Sequence, residues 1–208
     1  PWGNPRPACT MRDLDDLELL IDGGTPLIFI QTADAARAES LVRRLGERNG
    51  LPLYRWSMAA GLSRGGALPG TDSVGGKPAQ MLAQVLALRE PAIFLLFDLP
   101  RYLDDQLIVS QLREIASRHP SVPHTLLLIG SAIVVPEDLL AVSAQIDLAL
   151  PTAEELQQIV LEEGEAWGRR RGKRVQATQA AIDALTRNLA GLSHADARRL
   201  IRTAICDD

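Results

Sequence analysis

The sequence predicts an α/β protein: a five-stranded parallel doubly wound sheet followed by a small helical bundle. Three observations lead there. Short unbroken apolar runs recur between Gly, Pro and polar residues, at 26–32 (PLIFIQT), 93–97 (IFLLF) and 123–131 (PHTLLLIGS). Runs of this length fit strands buried on both faces of a parallel sheet. Amphipathic helical stretches alternate with them, as crossover connections require. From Pro151 onward the pattern is helical throughout.

Residues 1–10 (PWGNPRPACT) carry three prolines and no periodicity, and read as a disordered arm with Met11 a candidate start. Leu14, Leu17 and Leu20 then fall at helical spacing, and Gly23-Gly24 closes that helix. The first strand, 26–32, leads into an amphipathic helix over 33–50 with Leu41, Val42 and Leu45 inward. Residues 51–57 (LPLYRWS) read as the second strand. The Gly-rich stretch 58–75 lacks a pattern and reads as a mobile surface loop. A helix over 78–90 precedes the central strand, which ends on Asp98. Asp104 or Asp105 caps the next helix, running to Arg118. The fourth strand spans 123–131, a short helix follows Pro136, and a fifth strand is expected at 146–150. Thr152 with Glu155 makes a capping-box pattern, and Ser193 with Asp196 a looser one. The domains expected are thus a 1–10 arm, an 11–150 α/β core and a 151–208 helical lid.

Bulk composition excludes several classes. Of 208 residues, 46% are hydrophobic and 23% charged, ordinary for a globular protein. A net charge of −4 gives no reason to expect a nucleic-acid partner. No apolar run approaches the ~20 residues of a membrane span, so no membrane partner is expected. Cys9 and Cys206 lie near opposite ends without metal-ligand spacing, which favours a reduced, cytoplasmic protein.

The α/β core, the acid ending its third strand and the helical lid together resemble the AAA+ ATPase module, a P-loop NTPase-like core. The segment 146–160 (IDLALPTAEELQQIV) is similar to that superfamily's last core strand, Pro and first lid helix, and 191–205 (GLSHADARRLIRTAI) to its last lid helix. More narrowly, Pro26-Leu27-Ile28, Trp56-Ser57 and Leu103-Asp104-Asp105 resemble the degenerate first module of a two-module AAA-type family of bacteria and algal plastids. The resemblance covers residues 14–206. It implies a parent ATPase using ATP and Mg²⁺, with hydrolysis in a second AAA+ module of the same chain, and a homo-oligomer.

Tested residue by residue, the nucleotide site implied by this resemblance is vestigial. A phosphate cradle after the first strand needs a Gly-rich turn, a Lys and a Ser or Thr for Mg²⁺. Residues 32–40 (TADAARAES) hold neither Gly nor Lys. Asp34, read as an ordinary helix N-cap, sets a carboxylate against the positive helix end, where it repels phosphate. Lys77 follows a Gly pair, but Thr71 replaces the motif's first Gly and Pro78 its Ser or Thr. Asp98 matches the Mg²⁺-orienting acid, yet Leu99 stands where the family's catalytic Glu belongs, leaving no general base. The bland reading makes Asp98 a cap for the turn toward Asp104. Ser131 matches a γ-phosphate sensor position. No arginine lies between Arg118 and Arg169, so the core lacks an arginine to reach a neighbour's phosphate. Arg198 and Arg199, at a second-sensor position, read as a solvated face, and the 169–174 run RRRGKR as a helix C-terminus before Gly172.

The expectation is therefore a module with no catalytic residues, no cofactor and no metal of its own, whose vestigial nucleotide site comprises Thr32, Asp34, Asp98 and Ser131. Its role is assembly or recognition of a protein partner, with 58–75 as a contact element. Two alternatives stand beside it: an ATP-binding and hydrolysing module with a non-standard phosphate loop, and a clamp-loader-like accessory subunit. The latter predicts a basic face and a third helical domain.

Overall fold

A computed structural model describes residues 10–64, 76–148, 150–172 and 178–206. The chain divides into two compact units, one of them Leu14–Leu148 and the other taking in the segment from Ala149. In the first, helix α1 (Thr10–Asp22, entering from before the unit) precedes strand β1 (Leu27–Gln31), helix α2 (Ala35–Asn49), and strands β2 (Leu53–Ser57) and β3 (Gly61–Arg64). Helix α3 (Pro78–Ala87), strand β4 (Ala92–Leu96), a 3-10 turn (Leu99–Tyr102), helix α4 (Gln106–Arg118), strand β5 (His124–Gly130), helix α5 (Glu137–Leu140) and strand β6 (Ser143–Asp147) follow.

The strand order is β3-β2-β4-β5-β1-β6, parallel except for β3. The doubly wound fold is as expected, but the sheet has six strands, not five. Residues 61–64, read from sequence as loop, form an antiparallel edge strand against β2, with Leu62 opposite Trp56 and Arg64 opposite Tyr54. Gly61 makes the tight turn with φ 68°, a left-handed conformation that side-chain-bearing residues disfavour. The rest of the expected contact loop, 65–75, and the expected arm up to residue 9 lie outside the described residues; Thr10 begins α1. The last strand runs over 143–147, upstream of the 146–150 expected, because Ser143 to Asp147 pair with 27–31 of β1.

Period-two alternation splits the strand side chains between two cores. Phe29, Phe94, Leu96, Leu126 and Leu128 pack with α3, α4 and α5. Ile28, Ile30, Ile93, Leu95, Leu127 and Ile129 pack with α1 and α2. Such two-sided burial is why these runs carry no polar alternation. Among the described residues no helix is long and apolar enough to cross a membrane.

In the second unit, α6 (Ala153–Arg171), α7 (Gln179–Asn188) and α8 (His194–Cys206) enclose a small core of Leu156, Ile159, Leu189, Ala197 and Ile201. The capping box is present at its start: Glu155 N–H donates to Thr152 Oγ1 at 3.2 Å, and Thr152 N–H to Glu155 Oε2 at 2.8 Å. Helix α6 ends at Gly172, φ 66°, after Arg169, Arg170 and Arg171, as the sequence implied. Lys173 and Arg174 lie outside the described residues.

Candidate functional site

Strand order fixes where a site can form. The chain leaves β1 for β2, three positions away, fills inward through β4 and β5, then crosses to β6 on the far side of β1. The direction of winding therefore reverses between β1 and β5, and a doubly wound sheet opens a crevice beyond the carboxyl ends of the strands at that point. Thr32 follows β1 and Ser131 follows β5. The β1–β5 pairing extends past the strands, with Thr32 N–H donating to Gly130 carbonyl at 2.8 Å. Continued from Leu96 opposite Leu128, the β4–β5 register sets Asp98 level with Gly130. Thr32, Asp98 and Ser131 thus end three adjacent strands, and Asp34 follows two residues after Thr32.

Each of these side chains has a local partner or lies open. The Thr32 hydroxyl accepts the Asp34 N–H at 3.0 Å, and Asp34 Oδ1 accepts the Arg37 N–H at 3.0 Å. Asp34 is the N-cap of α2, so its carboxylate occupies the helix end where partial positive charge and free N–H groups would otherwise meet an anion. Its side chain is buried, as is that of Arg37 in the first turn. Ser131 is exposed.

Asp98 behaves differently from the bland sequence reading. It caps no N–H of the following 3-10 turn. Its Oδ2 accepts the Met58 N–H at 2.9 Å instead, pinning the exit of β2 across the sheet. Leu99, in the position of the family's catalytic acid, is completely buried in the α3/α4 core. An apolar side chain there is what the surrounding core selects.

Two further residues shape the crevice and escaped the sequence reading. Gln31, the last residue of β1, accepts the Ile133 N–H on Oε1 at 3.2 Å, drawing the segment after β5 toward the end of β1. Gly130 lets that segment approach: a Cβ there would lie 3.1 Å from Ile133 Cγ1 and 3.5 Å from Pro100 Cβ. A Gly closing a buried strand run was the only signal available in sequence.

Lys77 stands at the N-cap of α3 with no side-chain capping bond, ahead of Pro78. In the helical unit, Arg198 donates to Glu162 at 2.8 Å and to Glu163 at 2.9 Å, and Arg199 to Asp196 at 2.8 Å. Arg198 is therefore an ion-paired cross-link between α6 and α8, where a freely solvated face was expected. Glu163 also takes Arg202 through Nε at 2.8 Å and Nη2 at 3.0 Å. Hydrogen bonds from Arg202 and Arg198 outweigh burial and hold the Glu163 carboxyl at about 2, below the ordinary 4.5. Among the described residues, no group of His, Cys, Asp or Glu is arranged to hold a metal ion.

Comparison with known proteins fits this geometry. The profile of the SpoVK-like AAA ATPase N-terminal domain matches residues 13–148, and that of the second domain of the same family matches 154–208. The uncharacterized AAA domain-containing protein ycf46 of Trieres chinensis is 28% identical over 149 residues, 71% of this chain and 30% of that protein. Its namesake from Pyropia yezoensis is 23% identical over 196 residues, 94% of this chain and 39% of that protein. The chain thus spans roughly a third of the length of these relatives. Among solved structures, the FIGL-1 AAA domain in complex with ADP aligns with TM-score 0.60 at 15% identity, covering 92% of this chain and 68% of that one. Caenorhabditis elegans PCH-2 aligns with TM-score 0.62 at 11% identity, covering 96% and 62%. Thermotoga maritima RuvB aligns with TM-score 0.61 at 14% identity, covering 93% and 59%.

Proposed function

The chain belongs to the SpoVK-like AAA ATPases, and we propose that within that family it is a module that neither binds ATP productively nor hydrolyses it. The observation that carries this reading is the Asp34 carboxylate at the N-terminus of α2, bonded to the Arg37 N–H at 3.0 Å. A triphosphate brought to that helix end would meet a fixed negative charge instead of open N–H donors and a lysine. The remaining positions support the same conclusion. Asp98 is engaged by Met58, Leu99 is buried where a general base would stand, and Arg198 and Arg199 are taken by carboxylates of α6 and α8. A nucleoside triphosphate with Mg²⁺ does not fit this set, so no catalytic step is assigned to it.

On this reading ATP and Mg²⁺ are used by a second AAA+ module elsewhere in a longer, cytoplasmic, homo-oligomeric parent protein. This module contributes packing surface for assembly and for a protein partner. The test is ATP turnover by the whole protein carrying Asp98→Asn, which preserves an acceptor for Met58 while removing a Mg²⁺-binding charge. Turnover within about twofold of wild type is expected, whereas a loss of about a hundredfold, the scale of a lost transition-state contact, contradicts the proposal. Removal of residues 14–206 is expected to lower the sedimentation coefficient beyond the mass removed, because assembly fails with it.

A further inference from the structure

The sheet's α1/α2 face is not fully covered. Two helices about 10 Å across span about four strands spaced about 4.8 Å apart, and this sheet has six. The uncovered part lies beside α2 at the β2 edge, as a groove of about 390 Å³. Its floor is apolar, made by Leu51, Leu53 and Leu95. One wall is a single stripe of α2, residues 39, 43, 46, 47 and 50, about 16 Å long at 1.5 Å per residue. Gly46 and Gly50 keep that wall low.

The charge on the rim is unbalanced. Glu39 is shared by two guanidiniums, Arg43 at 3.0 Å and Arg55 at 3.4 Å. The Arg55 contact is an ion pair without hydrogen-bond geometry, so its buried Nε–H has no acceptor. Arg55 is held in place by Phe97, its guanidinium 4.7 Å from the ring centroid. Among the described residues Arg64 pairs with no carboxylate and instead lies 5.9 Å over Tyr54. Three arginines thus face two glutamates, Glu39 and Glu47, and one donor waits for an oxygen.

We propose that this groove docks an acidic amphipathic helix of a partner protein, its apolar residues on Leu51, Leu53 and Leu95 and its carboxylates on Arg43, Arg55 and Arg64. A helix is the occupant that restores the missing part of the layer. Side chains at i, i+3 and i+7 match both the length and the floor of the groove. Carboxylates along its edge satisfy the uneven charge and supply the Arg55 Nε–H with an acceptor. The inference stands apart from the loss of nucleotide chemistry, since no groove residue belongs to the strand-end set of Thr32, Asp34, Asp98 and Ser131.

The experiment uses the 208-residue chain with labelled Leu methyl groups and two synthetic helical peptides. Both carry Leu at i, i+3, i+4 and i+7; one is flanked by Glu, the other by Lys. The Glu peptide is expected to bind at least about tenfold more tightly, with methyl shifts centred on Leu51, Leu53 and Leu95. In the variant Arg43→Glu/Arg64→Glu, at two exposed positions that leave the core intact, the preference inverts toward the Lys peptide. MgATP added to the titration changes neither result, so a failure of the nucleotide proposal shows separately. Equal affinity for the two peptides, no binding, or shifts centred elsewhere overturns the inference. So does a concentration-dependent dimer dissolved by the same double variant, which assigns the groove to a second copy of the chain.

Discussion

Glu163→Gln isolates the interaction that ties α6 to α8. The carboxylate is only 4% exposed and receives three hydrogen bonds from Arg198 and Arg202, at 2.8–3.0 Å. Its pKa falls from 4.5 to about 2 in the folded chain. At about 1.4 kcal/mol per pKa unit that displacement caps the contribution near ~3 kcal/mol. The two arginine side chains are 40% and 60% exposed, and water screening there reduces the expected loss to about 1–2 kcal/mol. For a chain of this size that is a fall in Tm of about 3–6 °C. Because the folded pKa is depressed, the contribution is complete above pH 4.5 and disappears as pH falls toward 2. Thermal unfolding by circular dichroism, run from pH 7 down to pH 2.5, is the assay. Wild type and variant must differ at neutral pH and converge in acid. A gap that is absent at pH 7, or that persists unchanged in acid, refutes the reasoning.

Three other outcomes follow from the same geometry. Asp98→Ala removes the acceptor of the Met58 N–H and is expected to cost about 1 kcal/mol in urea unfolding, while Asp98→Asn recovers most of it; equal losses in both variants contradict the capping role. His119 and His124 are both held below 6.5, His119 by burial and the neighbouring His124 charge, His124 by burial against an opposing Glu90 carbonyl bond. Stability is therefore complete above pH 6.5 and declines as pH drops below it, and His119→Asn/His124→Asn flattens that slope in the range 7 to 5.5. Thr152→Ala breaks the capping box and is expected to cost about 1 kcal/mol, seen as faster amide exchange in the first turn of α6.

How much of this was legible in sequence depended on whether the cause was local. The strands β1, β4 and β5 announced themselves because both faces of each are buried, which leaves an unbroken apolar run. The N-cap at Asp34 and the capping box at Thr152 were equally readable, since donor and acceptor lie within three residues. Strand β3 was not, because its four residues contain one large apolar side chain, Leu62, and its conformation depends on pairing with β2. The position of β6 slipped for a related reason: Ser143 to Asp147 is an edge sequence fixed by β1 rather than by its own hydrophobicity. At the candidate site, the identities at Asp34, Asp98 and Leu99 were visible but the partners were not. Met58 lies 40 residues from Asp98, and Glu163 lies 35 from Arg198. No spacing rule connects such pairs, so Arg198 read as solvated when it is in fact a cross-link.

The most direct test of the central proposal is calorimetric titration of ATP and ADP, each with Mg²⁺, into this chain. A module whose α2 N-terminus is filled by Asp34 gives no saturable heat up to millimolar nucleotide. Saturable binding that is lost in Asp98→Ala, in a variant shown to be folded, contradicts the proposal and makes the strand ends a working nucleotide site.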